Sequence, residues 1–569
     1  MAGSDAALEG APRSLDRDDR TRRAVAGIVG ADRAERSLNH FAGDRVEVHA
    51  SAETLACSNG LLAVSAILNM LSRFIGTCEL WVTSPVSARL GNRLRGMVNR
   101  LGEIDTRQGR HVGLALLAGS EVPARNGGDL PVARIYVGDA RQAAPQPPPS
   151  RDGDVHLSFD GWVCDLRRGS SAGPIEPSDA PFGALAGSCF AVAEVFKTAL
   201  AASADPEHLA GIRNRFTYEW KFSTWTMDRV EAGRAASRDN RRPRDLPDLA
   251  VDGVLQVGAG AVGNAVVLGF ESCKAVRGVL DLMDPKSVDI KNLNRCYYFT
   301  EKDVEVERAK VDVLSREAAR PGFRISGVCA PFSSAATGGK TIVVSAVDNN
   351  EARHRIQEEL PERLVEGATG DTTMSVSVHE LDHGMSCLVC RHPDRSAGGA
   401  NHVPLTVEEA AEVTGLSQSE IQSGEVNDSM EITEALIARV RKSSPEAAES
   451  LQEAMDVGID LCGALGDIRS RFGTVNAPQE ASVPFVSNLA GVLAAAEVVK
   501  LLVAEEEPDT PVLANVLELD LACDYARHDH VSYREPPRAS CQFCQGRAEM
   551  IDAVLQRRRR SASRQTPSA

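Results

Sequence analysis

The sequence predicts an α/β chain made of two related halves, the second holding a nucleotide site and the first a degenerate copy of it. Three observations predict this. A short apolar run, Val254–Val257, enters Gly258, Gly260 and Gly263, and an apolar helix pattern follows through Phe270. Strand, glycine turn and helix in that order let backbone N–H groups and a helix N-terminus face a phosphate chain. From Glu47 to Ile135, short apolar runs alternate with a helical stretch, Leu61–Phe74, which is the α/β pattern. Finally, PFGALAGSCFAVAEVFKTAL at 181–200 aligns without gaps to PFVSNLAGVLAAAEVVKLLV at 484–503. Pro181/Pro484, Phe182/Phe485, Glu194/Glu497, Val195/Val498 and Lys197/Lys500 are identical pairs. Two copies of one helix, each late in its own half, point to a repeated domain; the alternative is a chance match between alanine-rich helices.

In chain order, residues 1–200 form the first half. Asp16–Arg23 is polar and arginine-rich and leads into a helix pattern through His40. HASAETLACSNGLLAVSAILNML then takes the place of a glycine turn without being one, and WVTSP replaces a strand ending in Asp. A proline-rich break at 143–150 reads as a surface loop. Residues 201–245 read as a connector, with Tyr218, Trp220 and Trp225 packed at the seam. The nucleotide half occupies 246–403 and 471–550. Residues 404–470 are a helical insertion between these parts, and the basic tail 551–569 is expected to be disordered.

The second half carries the chemistry. The run Val276–Leu282 ends at Asp284, about twenty residues after the last glycine, where an acidic side chain meets a ribose in dinucleotide folds. Asn292-Leu293-Asn294-Arg295 follows, then Lys310 on a predicted helix with Arg308 and Ala309. An amide, a guanidinium and an ammonium behind a phosphate-binding turn suit a triphosphate better than a nicotinamide. A further strand, Thr341–Val347, ends in Asp348, a natural Mg²⁺ ligand. Cys387 with Cys390 and Cys541 with Cys544 form two CxxC pairs, together enough for a closed four-sulfur zinc site. A redox pair would need a thioredoxin-like unit around it, which is missing. The insertion holds one cysteine, Cys462, next to Gly463. It is either a nucleophile with room for an acyl chain end or a small core residue.

This set of motifs resembles the adenylating domain of the E1/ThiF/MoeB/HesA family, which activates the C-terminus of ubiquitin-like proteins and sulfur carriers. The resemblance implies two ThiF-like Rossmann-type domains, pseudo-dimeric within one chain, the N-terminal one catalytically silent. It places Gly258, Gly260 and Gly263 on ATP, Asp284 on its ribose, Asn292, Arg295 and Lys310 on its phosphates, and Mg²⁺ on Asp348. The family places its thioester cysteine in the region of the insertion, so Cys462 would join Arg295, Lys310 and Asp348 as the catalytic set. An arginine from the partner half's N-terminal helix can also reach the phosphates in this family. Arg20, Arg22 and Arg23 are candidates, against the alternative of a solvated basic turn. The whole arrangement is similar to E1-like proteins of bacterial ubiquitin-like conjugation (Bil-type) systems, some of which act in antiphage defence. That implies a β-grasp ubiquitin-like partner, an E2-like conjugating enzyme and the cofactors ATP, Mg²⁺ and Zn²⁺. Two positions depart from the family pattern: Lys286 stands where a second Asp is common, and Cys296 where Gln is common. Three other readings stay open: a sulfur-carrier (ThiS/MoaD-like) adenylyltransferase, an NAD-dependent oxidoreductase and a non-catalytic scaffold.

Bulk properties agree with a soluble enzyme. The chain has 569 residues, 43% hydrophobic and 25% charged, with a net charge of −16. That acidity argues against sequence-independent binding to nucleic acid or anionic lipid. The segment Asn488–Val503, interrupted by Glu497 and Lys500, is expected to be too short to span a membrane. The start, MAGSDAALEGAPRSLDRDDR, has no apolar h-region. Two CxxC pairs among thirteen cysteines point to a reducing compartment, so the expected location is the cytoplasm.

Overall fold

Apolar runs that alternate with helices must be covered on both faces, and they build two sheets of one design. The computed structural model describes residues 21–104, 110–116, 130–139, 153–230, 242–333, 340–393, 434–456 and 483–544, short gaps aside. The first sheet contains β1 (Arg45–Ala50), β2 (Thr77–Val82), β3 (His111–Leu116), β4 (Ala133–Val137), β5 (Asp154–Phe159), β6 (Val163–Arg168), β7 (Glu219–Ser223) and β8 (Asp228–Arg229). Its order is β3-β2-β1-β4-β5-β6-β7-β8, parallel as far as β5 and antiparallel beyond. In the second half come β9 (Leu249–Ala250), β10 (Val254–Val257), β11 (Val276–Met283), β12 (Phe323–Val328), β13 (Ile342–Ser345), β14 (Arg363–Thr369), β15 (Thr373–Glu380), β16 (Val516–Asp520) and β17 (Ser532–Tyr533). Here the order is β12-β11-β10-β13-β14-β15-β16-β17, with the same switch from parallel to antiparallel after the fifth strand. The eight strands on this path match the first sheet one for one, and β9 pairs with β11 beside them.

The repeated helix takes the same place in each half. Phe182–Ser203 lies between β6 and β7, and Pro484–Ala504 between β15 and β16. The two helices pack on each other, and the helices Ser58–Leu71 and Ala261–Ser272 flank them. Small residues permit this: a Cβ on Gly491 would lie 2.3 Å from the Val262 carbonyl oxygen, and one on Gly269 would lie 2.6 Å from Ala495 Cβ. Phe196 and Phe485 meet across the seam with ring centroids 5.3 Å apart, and Phe74 joins Phe485 from the first half.

Each helix buries one Glu-x-x-Lys pair, Glu194 with Lys197 and Glu497 with Lys500, both at 2.5 Å. Lys197 Nζ donates to the Arg215 carbonyl of its own half and to the Cys523 carbonyl of the other, at 2.8 and 2.9 Å. Lys500 Nζ donates to Pro511 of its own half and Trp225 of the other, both at 2.9 Å. The carboxylates accept from Thr217 N–H and Leu513 N–H. The pinning is reciprocal, as in an isologous dimer. Burial pulls both ammonium groups below the ordinary lysine value, and the glutamate beside each works against it.

Three expectations change. The segment 201–245 is not simply a connector, because β7 and β8 extend the first sheet to Arg229; Trp220 and Trp225 are buried there, while Tyr218 stands exposed. The second repeat helix is longer than Asn488–Val503. Both repeat helices are long and apolar enough to cross a membrane by length and composition, and 94% of each apolar window is buried inside the protein. Lys310 opens the helix Lys310–Glu317, and Arg308 and Ala309 precede it. In the insertion, the helices Glu434–Ser443 and Pro445–Asp456 pack together.

Candidate functional site

The glycine turn sits where the strand order reverses, between β10 and β13, the place where open α/β sheets bind ligands. β10 is buried throughout and ends at Gly258, whose φ of +101° places it in the region that favours glycine. A Cβ there would lie 2.4 Å from the Ala346 carbonyl, so the turn closes directly onto the end of β13. Gly263 lets the helix lie on the turn, with the Gly258 oxygen 2.1 Å from where its Cβ would be. Gly260 is the N-cap of the helix Ala261–Ser272; no side chain caps it and no atom lies within 4 Å of its Cβ position. The result is an open helix N-terminus fitted for an anion.

Two buried carboxamides, which no motif singles out, fix the turn. Gln256 Nε2 donates to the carbonyls of Gly258 and Gly263 at 2.9 and 3.0 Å. Asn264 Nδ2 donates to Ala259 and Gly260 at 3.0 and 2.9 Å. Asp284 ends β11 beside them and accepts the Ala259 N–H and the Lys286 N–H, both at 2.8 Å.

Around this turn stand the charged residues read from the sequence. Lys310 is only 7% exposed, and among the described residues its ammonium has no hydrogen-bond or ion-pair partner. Asp348 is exposed on the loop after β13, 3.6 Å from Lys286 Nζ and within 3.3 Å of Asn349 Nδ2. Partial burial pushes its carboxyl up, but Lys286, the Asn349 amide and Lys310 outweigh this and hold it below the usual carboxylate value. It is therefore ionised throughout the neutral range. Arg295 is half-buried and donates to the Lys291 carbonyl and Asn294 Oδ1, each at 3.1 Å. Asn292 is turned inward: its Oδ1 accepts the Asp289 N–H at 2.9 Å in a capping box that shapes the loop. The open N-terminus, the unpartnered Lys310 and the ionised Asp348 suit a triphosphate with a divalent cation.

The first half reaches this loop. Arg73, buried at the end of the helix Ser58–Leu71, donates to the Leu293 carbonyl and, at 3.2 Å, to the Tyr297 carbonyl. Asn69 orients Arg73 through a 2.9 Å bond to Nε and itself donates to the Tyr297 carbonyl. Ser65 and the Tyr297 hydroxyl are 3.2 Å apart. Arg295 thus lies on a loop clamped at both ends by the other half. Burial lowers the Arg73 guanidinium to about 10, so it stays charged at neutral pH.

The two CxxC pairs converge. Their sulfurs all lie within 4.8 Å of one another. The measured edges are 3.7 Å for Cys387 and Cys390, 3.8 Å for Cys387 and Cys541, 3.6 Å for Cys390 and Cys544, and 3.4 Å for Cys387 and Cys544. A tetrahedron with Zn–S bonds of about 2.3 Å has edges of roughly 3.8 Å, so the cluster has the right size. Backbone N–H groups of Cys390, Arg538 and Cys544 point at the sulfurs. A buried chain links this cluster to the nucleotide loop. His392 meets Glu366 at 2.9 Å, Glu366 meets Arg353 at 2.7 Å, and Arg353 donates to the Val347 carbonyl beside Asp348. Burial would raise the Glu366 carboxyl, but His392 and Arg353 hold it well below the usual range.

A family model described as the ThiF family matches residues 241–538, just over half of the chain and all of the nucleotide site. The chain belongs to the ThiF family. This is a family of E1-like adenylating proteins that use ATP and Mg²⁺. An uncharacterized protein, y4jF, of Sinorhizobium fredii is 27% identical over 360 residues, or 60% of this chain. The chain spans 64% of that relative's length.

Against the ThiF pattern, the first half's own crevice is filled. Ser51 Oγ accepts the Thr54 N–H and donates to Asp139, and Ser84 Oγ accepts the Ala52 N–H at 2.7 Å. Side chains occupy the donors that a glycine turn would leave open. Of the cysteines weighed against Cys462, Cys296 is fully buried, with burial raising its thiol, while Cys523 is half-buried. Cys329 is exposed at the end of β12. Cys462 and the arginines at 20, 22 and 23 lie outside the described residues.

The clamp predicts a role for a residue remote from any ligand. Arg73→Lys keeps the charge and loses the two-carbonyl fork. It should raise hydrogen exchange across 293–297 and weaken ATP binding about tenfold, the value of one charge-assisted hydrogen bond. Unchanged exchange and affinity would remove the first half from the site.

Proposed function

We propose that this protein is an E1-like activating enzyme that adenylates the C-terminal carboxylate of a ubiquitin-like β-grasp protein and then takes it as a thioester. The open helix N-terminus at Gly260, with Lys310 tied to the same turn through the Lys286 carbonyl and Lys286 in turn held by Asp284, supports this reading.

In the first step an oxygen of the incoming carboxylate attacks the α-phosphorus of ATP, and the bond to the bridging oxygen breaks to release pyrophosphate. The carboxylate is already ionised, so no general base is needed. The residues hold two anions in line and balance the charge that develops on the leaving group. Backbone N–H groups at the Gly260 turn and the Lys310 ammonium bind the phosphates, Arg295 supplies a planar donor fork, and Asp284 binds the ribose. Bound to Asp348, Mg²⁺ supplies further charge neutralisation. In the second step the Cys462 thiolate attacks the acyl carbon, forms the thioester and releases AMP. An E2-like enzyme would receive the product. The antiphage setting is carried over from the resemblance alone.

Exchange of labelled pyrophosphate into ATP, dependent on a β-grasp protein with a C-terminal glycine, is the expected outcome. Asp348→Ala should lower exchange on the order of a hundredfold with an unchanged circular dichroism spectrum. Cys462→Ala should keep exchange and lose the reducible adduct. No exchange with any such partner would contradict adenylation. Exchange without a wild-type adduct would favour the sulfur-carrier adenylyltransferase.

The four-cysteine cluster is proposed to hold zinc as a closed, structural site joining 387–390 to 541–544. Metal analysis should return one zinc per chain in the wild type and none in Cys390→Ser/Cys541→Ser. Equal metal content in both would place the zinc elsewhere.

A further inference from the structure

Lys286 is a surface lysine by exposure, yet its backbone is held by the nucleotide site on both sides. Its N–H donates to Asp284 Oδ1 at 2.8 Å, and its carbonyl accepts the Lys310 N–H at 3.1 Å. The adjacent residues Ser287 and Ala309 form a β-bridge that locks the two strands of chain together. Its ammonium lies 3.6 Å from Asp348 Oδ2, with the two side chains 56% and 63% exposed. An ion pair so exposed is worth about 0–1 kcal/mol, so a divalent cation displaces the lysine from the carboxylate with little resistance. The released ammonium stays tethered by the backbone contacts of Lys286 to Asp284 and Lys310.

We infer that Lys286 is a third nucleotide-binding cation, which occupies Asp348 while no metal is bound and moves to the phosphates of ATP once Asp348 is taken. This rests on the adenylation reading above and gives it a residue that the family pattern lacks at this position. It follows that ATP binds this site with useful affinity even without a divalent cation, because Lys286, Lys310 and Arg295 together meet the phosphate charge.

The test measures binding rather than turnover, by titration of ATP and of adenosine into the full chain with EDTA and again with saturating Mg²⁺. In EDTA, Lys286→Met should weaken ATP binding roughly tenfold, the size of one charge contact, and Lys286→Asp more than that. In Mg²⁺ the Met variant should fall within about threefold of wild type, since the metal then carries most of the phosphate charge. Adenosine binding should be the same in all three proteins. Wild-type ATP affinity in the Met variant under EDTA would reduce Lys286 to a solvated side chain, and so would a parallel loss of adenosine binding, which reports a damaged loop. A wild-type chain that binds ATP under neither condition would overturn the adenylation reading itself.

Discussion

Lys197 and Lys500 are ammonium groups buried in the middle of apolar helices, each paired with a glutamate of its own helix and completed by a carbonyl of the opposite half. A hydrogen bond to a charged group of this kind is worth roughly 1.5–3 kcal/mol. Separating the halves would take one acceptor from each ammonium while its own glutamate stays in place. Apolar packing at Phe196, Phe485 and the glycine contacts supplies contact area, and the lysines fix the register. This constraint sets the position of the helix Ser58–Leu71 against the second half, and so the reach of Arg73.

Seen this way, the first half has a physical task. Its own crevice is closed by Ser51 and Ser84, which occupy the backbone donors that a nucleotide would need. What it keeps is the grip of Asn69 and Arg73 on the loop that carries Arg295. A loop whose backbone is already held leaves less ordering to be done should a ligand engage its side chains. From the opposite side, the chain from His392 through Glu366 and Arg353 to Val347 ties the Asp348 loop to the cysteine cluster. The loops around the glycine turn are thus braced by the other half on one side and by the cysteine knuckle on the other.

Much of this was legible in the sequence because it is written in local patterns. The glycine spacing, Asp284, the Asn-Leu-Asn-Arg run and the CxxC pairs are contiguous motifs, and the repeated helix betrays itself by gapless identity at Glu and Lys. What escaped is tertiary. Arg73 looks like any basic residue after an apolar helix, and only the folded chain shows that its partners lie more than two hundred residues away. Gln256 and Asn264 are single polar residues in apolar runs, and their use in shaping the turn has no period to detect. Asn292, a phosphate-binding candidate by its motif, also has a local task that no pattern shows, since its Oδ1 serves the loop's own cap. The strands β7 and β8 were hidden in a charged, tryptophan-bearing stretch because edge strands are short and only half-buried.

A crystal structure of the chain with ATP and Mg²⁺ tests the central claim most directly. The account predicts the triphosphate lying across the helix N-terminus at Gly260, in contact with Lys310 and Arg295, the ribose at Asp284 and the metal on Asp348. Nucleotide seated in the first half, or a triphosphate that leaves Lys310 without a partner, would contradict it.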